Sequence, residues 1–121
     1  MDSDEFAGKA VIVTGAAQGI GRTIAEQCIQ RGARVLIFDL DDELAAKTAR
    51  ELSPTADLAV SVSGDVSVRA DVQRAVQTCL ERFGRLNVMV AHAGIADAVP
   101  LLEIDDASWR RIIDVNLTGV F

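Results

Sequence analysis

Four short apolar runs alternate along the chain with segments in which apolar residues recur every three or four positions, a pattern that predicts buried strands joined by amphipathic helices. The strands are read at Ala10–Val13, Arg34–Phe38, Leu58–Val62 and Leu86–Ala91. The second run reads as a buried parallel strand, and the fourth, nearly continuous, is expected to be covered on both faces. The first helix presents Ile20, Ile24, Cys28 and Ile29 on one face and ends near Gly32, placed to suit a C-terminal cap. The second runs from Asp42 to Leu52 with Leu44 and Ala45 inward, and Ser53-Pro54 stops it. Ser67 is read as the cap of a third helix whose stripe is Val68, Val72, Ala75, Val76, Cys79, Leu80 and Phe83, closed by Gly84. After a loop through Pro100, residues 105–120 read as a last helix, with Trp109, Ile112, Ile113 and Leu117 at helical spacing.

Strand and helix in strict alternation, joined by right-handed crossovers, predict a three-layer α/β fold of the Rossmann type: a doubly wound parallel sheet in the order 3-2-1-4. Residues 1–121 form one uninterrupted unit without repeats or low complexity. In such a sheet the binding crevice opens at the C-terminal strand ends, where strands 1 and 4 diverge. Val88, Met89 and Val90 then lie on an apolar edge, so the chain by itself is expected to be marginally stable or to pair that edge with another copy.

The segment between strand 1 and helix 1 carries the chemistry. Thr14-Gly15-Ala16-Ala17-Gln18-Gly19-Ile20-Gly21 places three glycines where the chain reverses from strand to helix. Glycine permits the tight turn and lets phosphate oxygens approach backbone N–H groups, while the helix N-terminus adds unpaired donors and partial positive charge. The spacing is Gly-x3-Gly-x-Gly, with Gln18 and Ile20 between the glycines. Asp39 closes strand 2, eighteen residues past Gly21. A carboxylate at that tip can accept hydrogen bonds from both hydroxyls of an adenosine ribose and repels a 2′-phosphate, so NAD is the expected dinucleotide in preference to NADP. Gln18 and Leu40 bring no positive charge nearby, and Arg22 and Arg34 are the closest guanidinium groups in sequence. The alternative for Asp39 is a solvated turn in the acidic run 39–43, part of which caps the next helix.

A net charge of −6 argues against nucleic acid or an anionic membrane as partner. Cys28 and Cys79 lack any short Cys-x-x-Cys spacing and read as small buried hydrophobes in a reducing, cytoplasmic setting. Residues 1–7 are acidic and have neither the basic nor the apolar region of a signal peptide. His92, the single histidine, reads as a satisfied structural group, and no metal site is expected.

From about Lys9 to Phe121 the chain resembles the short-chain dehydrogenase/reductase family, in the compact NAD-preferring form typified by 3-oxoacyl carrier-protein reductases and related alcohol dehydrogenases. The resemblance implies that Thr14 to Gly21 is the cofactor turn and Asp39 the NAD-selecting acid. It implies that Asp65 and Val66 face the adenine, and that His92-Ala93-Gly94 occupies the place of an Asn-Ala-Gly motif ending strand 4. Asn116 matches the asparagine of the family's catalytic tetrad. Two departures stand out. His92 replaces an asparagine thought to tie strand 4 to the sheet, and the tetrad's serine, tyrosine and lysine have no counterpart, since the chain contains no tyrosine and its only lysines are Lys9 and Lys47. The expectation is therefore the N-terminal, cofactor-binding half of an oxidoreductase acting on an alcohol or ketone, truncated after the asparagine helix and inactive alone for want of a proton donor. The segment Ile95 to Leu102 is expected to form one wall of the substrate pocket. The resemblance also implies a homo-oligomer built through the helix around Trp109 and Asn116, with plain core packing the competing role for Trp109. A nucleotide-binding remnant without catalysis, or an interaction module, are the alternatives.

Overall fold

The apolar runs divide by the two-residue period of a strand into two cores, one on each face of the sheet. Val11, Val13, Val35 and Ile37 bury one face with Ala25, Ala33, Ala45 and Ala49, while Ala10, Ile12, Leu36, Phe38 and Val60 bury the other with Ala75, Cys79 and Phe83. Each fully buried Val, Leu or Ile contributes roughly 1.5–3 kcal/mol by leaving water, which makes these two central strands the main source of stability. The computed structural model describes residues 4–55, 57–96 and 99–121; residues 1–3 of the N-terminal stretch and 97–98 of the Ile95–Leu102 segment lie outside the described residues.

The elements are β1 (Ala10–Thr14), α1 (Gly19–Gln30), β2 (Arg34–Asp39), α2 (Asp42–Leu52), β3 (Ala59–Ser63), α3 (Arg69–Phe83), β4 (Val88–Val90) and α4 (Asp106–Ile113). The sheet is parallel throughout in the order β3-β2-β1-β4, with Ile12 opposite both Leu36 and Met89. This is the expected doubly wound Rossmann arrangement, with α1 and α2 against one core and α3 against the other. Among the described residues no helix is long and apolar enough to cross a membrane.

Several boundaries differ from those read in the sequence, each for a local reason. β4 is only three residues long. At its start the Asn87 side chain accepts from the Ala10 amide at 2.9 Å, and past its end the His92 and Ala93 amides donate to the Thr14 hydroxyl instead of continuing the ladder. Ser67 does not cap α3, whose N-cap is Val68 without any side-chain bond; its hydroxyl instead donates to Asp65 at 2.6 Å. Ile20 is 71% exposed, because the buried face of α1 is formed by Gly21 and Ala25. Val68 and Leu80 also lie outside the α3 stripe, and Val88 and Met89 are exposed on the β4 edge. The final helix is not continuous: α4 gives way to a π turn over Asp114–Thr118. Trp109 is 57% exposed and α4 buries no residue, so core packing is not its role in this chain. Cys79 is buried and Cys28 half-buried, and burial raises both thiols above their ordinary pKa, keeping them protonated and unreactive.

Candidate functional site

At the C-terminal ends of β1, β2 and β4 the chain encloses a cleft of about 410 Å³. Its walls bring together Gly15, Gln18, Asp39, Leu40, Asp65, Val66, His92, Ala93 and Gly94, residues drawn from four separate loops and all singled out in the sequence. Gly19, Ile20 and Gly21, also singled out, form the first turn of α1 and are not among the residues lining the cleft.

The glycine turn is built for close approach. Gly15 has a φ of +68°, and a Cβ there would stand 2.9 Å from the Cα of Ala93. A Cβ on Gly21 would collide with the carbonyl oxygen of Gly15 and come 2.8 Å from Cδ2 of His92. Three segments, the end of β1, the start of α1 and the tip of β4, therefore meet at distances that only glycine allows. Gln18 is the N-cap of α1, yet its side chain makes no capping hydrogen bond and the first turn holds no acidic residue. The leading amides of α1 keep their donors and the positive end of the helix dipole free for an anion.

On the adjoining wall Asp39 ends β2. Its Oδ2 accepts from the Ala17 amide at 3.0 Å and its Oδ1 from the Asp41 amide at 3.2 Å, while Asp41 itself caps α2 through Leu44. None of the described residues lining the cleft is a lysine or arginine. The two nearest guanidinium groups in sequence are committed elsewhere. Arg22 pairs with Glu51 at 2.8 Å, and Arg34, at the opposite end of β2, donates to the Phe83 carbonyl at 3.0 Å while lying over the Phe83 ring.

Asp65 and Val66 close the third side. The Asp65 carboxylate accepts from the amide and hydroxyl of Ser67 through one oxygen and from Arg111 of α4 at 2.8 Å through the other. Partial burial alone would raise the pKa of this carboxyl, but the bonds from Ser67 and Arg111 outweigh burial and hold it below the ordinary 3.8. A depressed carboxylate pKa stabilises the fold above the unfolded-state value and loses that contribution as pH falls through the folded-state value. Arg111→Met should therefore lower stability at neutral pH and flatten the acid limb of the stability profile below about pH 4. Urea titrations across that range measure both, and an unchanged acid limb would remove Arg111 from this role.

The tip of β4 is held by a threonine. Thr14 Oγ1 accepts from the His92 and Ala93 amides, both at 3.0 Å, and donates to the Val90 carbonyl at 3.4 Å. Here the β1 hydroxyl ties strand 4 to the sheet, the task that the resemblance assigned to an asparagine at position 92. The His92 imidazole is exposed, lies against Gly21 and makes no hydrogen bond to the described residues, so it is not the internally satisfied histidine expected from the sequence. Asn116, in the π turn, accepts from the Ile95 amide and donates to the Ile95 carbonyl, each at 2.8 Å, clamping the loop that follows β4. Ile95, the first residue of the segment expected to wall a substrate pocket, also lines this cleft, and Phe38, Gly64 and Val115, which were not singled out, complete the wall. Apolar residues that read as core carried no signal of lining a cleft.

This fold and cleft define a Rossmann-type protein with a glycine-rich turn at the mouth of the crevice. The profile of the short chain dehydrogenase family matches residues 9–121, and the chain belongs to that family. It is 38% identical over 112 residues to sorbitol dehydrogenase of Cereibacter sphaeroides, covering 93% of this chain and 43% of that protein. It is 42% identical over 118 residues to cis-4-hydroxycyclohexanecarboxylate dehydrogenase of Sinomonas cyclohexanicum, covering 97% and 47% respectively. A crystal structure of a short-chain dehydrogenase/reductase from Brucella melitensis, described as a glucose/ribitol dehydrogenase, superposes with a TM-score of 0.93 at 37% identity, over 100% of this chain and 50% of that one. The chain thus spans about half the length of the relatives it matches.

Proposed function

We propose that this chain is the NAD(H)-binding part of an oxidoreductase that transfers a hydride between nicotinamide and an alcohol or ketone. The observation that carries the proposal is the Asp39 carboxylate standing in the cleft beside an uncapped helix N-terminus, with no cation on the cleft wall among the described residues. The residues fit the cofactor: the glycine turn and leading amides of α1 would hold the diphosphate, Asp39 the adenosine ribose, and Asp65 with Val66 the adenine. His92, Ala93 and Gly94 would wall the side toward nicotinamide, which supplies or accepts the hydride when bound. Asn116 would act by holding the backbone around Ile95 for a proton relay whose serine, tyrosine and lysine are not among these residues. With no tyrosine in the sequence, a polypeptide limited to these 121 residues binds cofactor without turning it over. The exposed Trp109 and the unburied α4 support subunit contact through that helix, and two unlinked thiols suit a reducing cytoplasm.

Calorimetric titration with NAD and NADP under identical salt tests the assignment. NAD is expected to bind on the order of a hundredfold more tightly, because the extra phosphate of NADP meets a like charge in place of a partner. Equal affinities would take Asp39 out of the ribose role, and failure of both to bind would sink the dinucleotide assignment.

A further inference from the structure

Thr48 lies in the middle of α2, is 0% exposed, and has no place in the cleft wall. A buried threonine inside a helix ordinarily turns its hydroxyl back to the carbonyl one turn earlier. This one leaves its own helix and donates at 2.6 Å to the carbonyl of Ala17, in the glycine turn. The amide of the same Ala17 donates to Asp39 at 3.0 Å. Ala17 is 1% exposed, so neither of its backbone groups has water as a substitute partner. Two successive peptide planes, those joining residues 16 to 17 and 17 to 18, are thus pinned by side chains from α2 and β2. Gln18 and the first amides of α1 follow immediately, and their direction is set by those planes.

We propose that Thr48 is a positioning residue for the dinucleotide, acting with Asp39 to preset the glycine turn, so that Asp39 governs the diphosphate as well as the ribose. The proposal rests on assigning the cleft to a dinucleotide. It makes a buried hydroxyl on α2 part of the affinity for an anion it does not touch. It also makes Asp39 more than a selector, since removing its carboxylate releases the turn.

The test uses two probes, ADP and 2′,3′-dideoxy-ADP, the second lacking the ribose hydroxyls that a carboxylate could accept from. Affinities are measured at low temperature, well below the unfolding transition of each variant. Thr48→Val removes the hydroxyl at nearly constant shape and should weaken both probes roughly tenfold, while Thr48→Ser should restore them. Asp39→Ala should weaken dideoxy-ADP by a similar factor, and Asp39→Asn, whose amide oxygen can still accept from Ala17, should leave dideoxy-ADP close to wild type. If Thr48→Val does not fold, Thr48→Cys, with its weak thiol donor, takes its place. A merely structural threonine would lower the melting temperature and leave affinities at low temperature unchanged, which overturns the proposal. So would dideoxy-ADP binding that ignores Asp39→Ala. Wild-type protein that binds neither probe would instead overturn the dinucleotide assignment, and the positioning role with it.

Discussion

Gly21→Ala is expected to abolish nucleotide binding and to destabilise the fold by about 1–3 kcal/mol, the range for forcing a methyl group into closed packing. The imidazole of His92 could swing away from the new Cβ, because it is exposed. The carbonyl of Gly15 cannot, because the Gly15 amide is bonded to the Phe38 carbonyl at 2.8 Å and holds the turn to β2. The collision is therefore resolved by lifting the first turn of α1, which moves its amides off the anion position. Urea unfolding combined with ADP titration measures both effects. An alanine variant with wild-type affinity would show that the turn tolerates displacement and that close approach is not what the glycine serves.

Phe38→Ala carries the largest expected effect on stability, a loss of about 3–5 kcal/mol. Its side chain is 1% exposed, is the largest fully buried one among the described residues, and packs with Ile12, Leu36, Val60, Cys79 and Phe83. A Cβ on Gly64 would come within 2.8 Å of its Cζ, and the residue lines the cleft. The variant should show a lowered denaturant midpoint with an unchanged slope, and weaker nucleotide binding where it remains folded. A loss below about 1 kcal/mol would mean that the surrounding alanines and valines collapse onto the void.

The strand order and the cleft's main residues were legible because they depend on features that a sequence displays directly. Continuous runs such as Val35 to Phe38 report burial on two faces, and a glycine cluster between strand and helix reports a turn that needs it. What escaped were side chains acting across the fold. Thr14 read as the first residue of the glycine turn and Thr48 as an ordinary helix residue, because nothing in local spacing reveals that one hydroxyl holds the tip of β4 and the other the glycine turn. Ser67 has the residue type of a cap and sits one place too early, where Asp65 offers a stronger acceptor than a helix amide offers as donor. The π turn at Asp114–Thr118 was likewise invisible, since the spacing of Ile112, Ile113 and Leu117 fits an uninterrupted helix equally well.

The pairing of β1 with β4 has a consequence for the order in which the molecule assembles. The glycine turn and Asp39 come from neighbouring strands whose contacts need only one short crossover, whereas the clasp between Ala10 and Asn87 joins residues 77 apart. Closing that larger loop costs more chain entropy and is slower. A nascent chain that has emerged only as far as β3 already owns the turn and the acid but has no opposite wall, and the cleft comes into being only when Thr14 captures the amides that follow Val90.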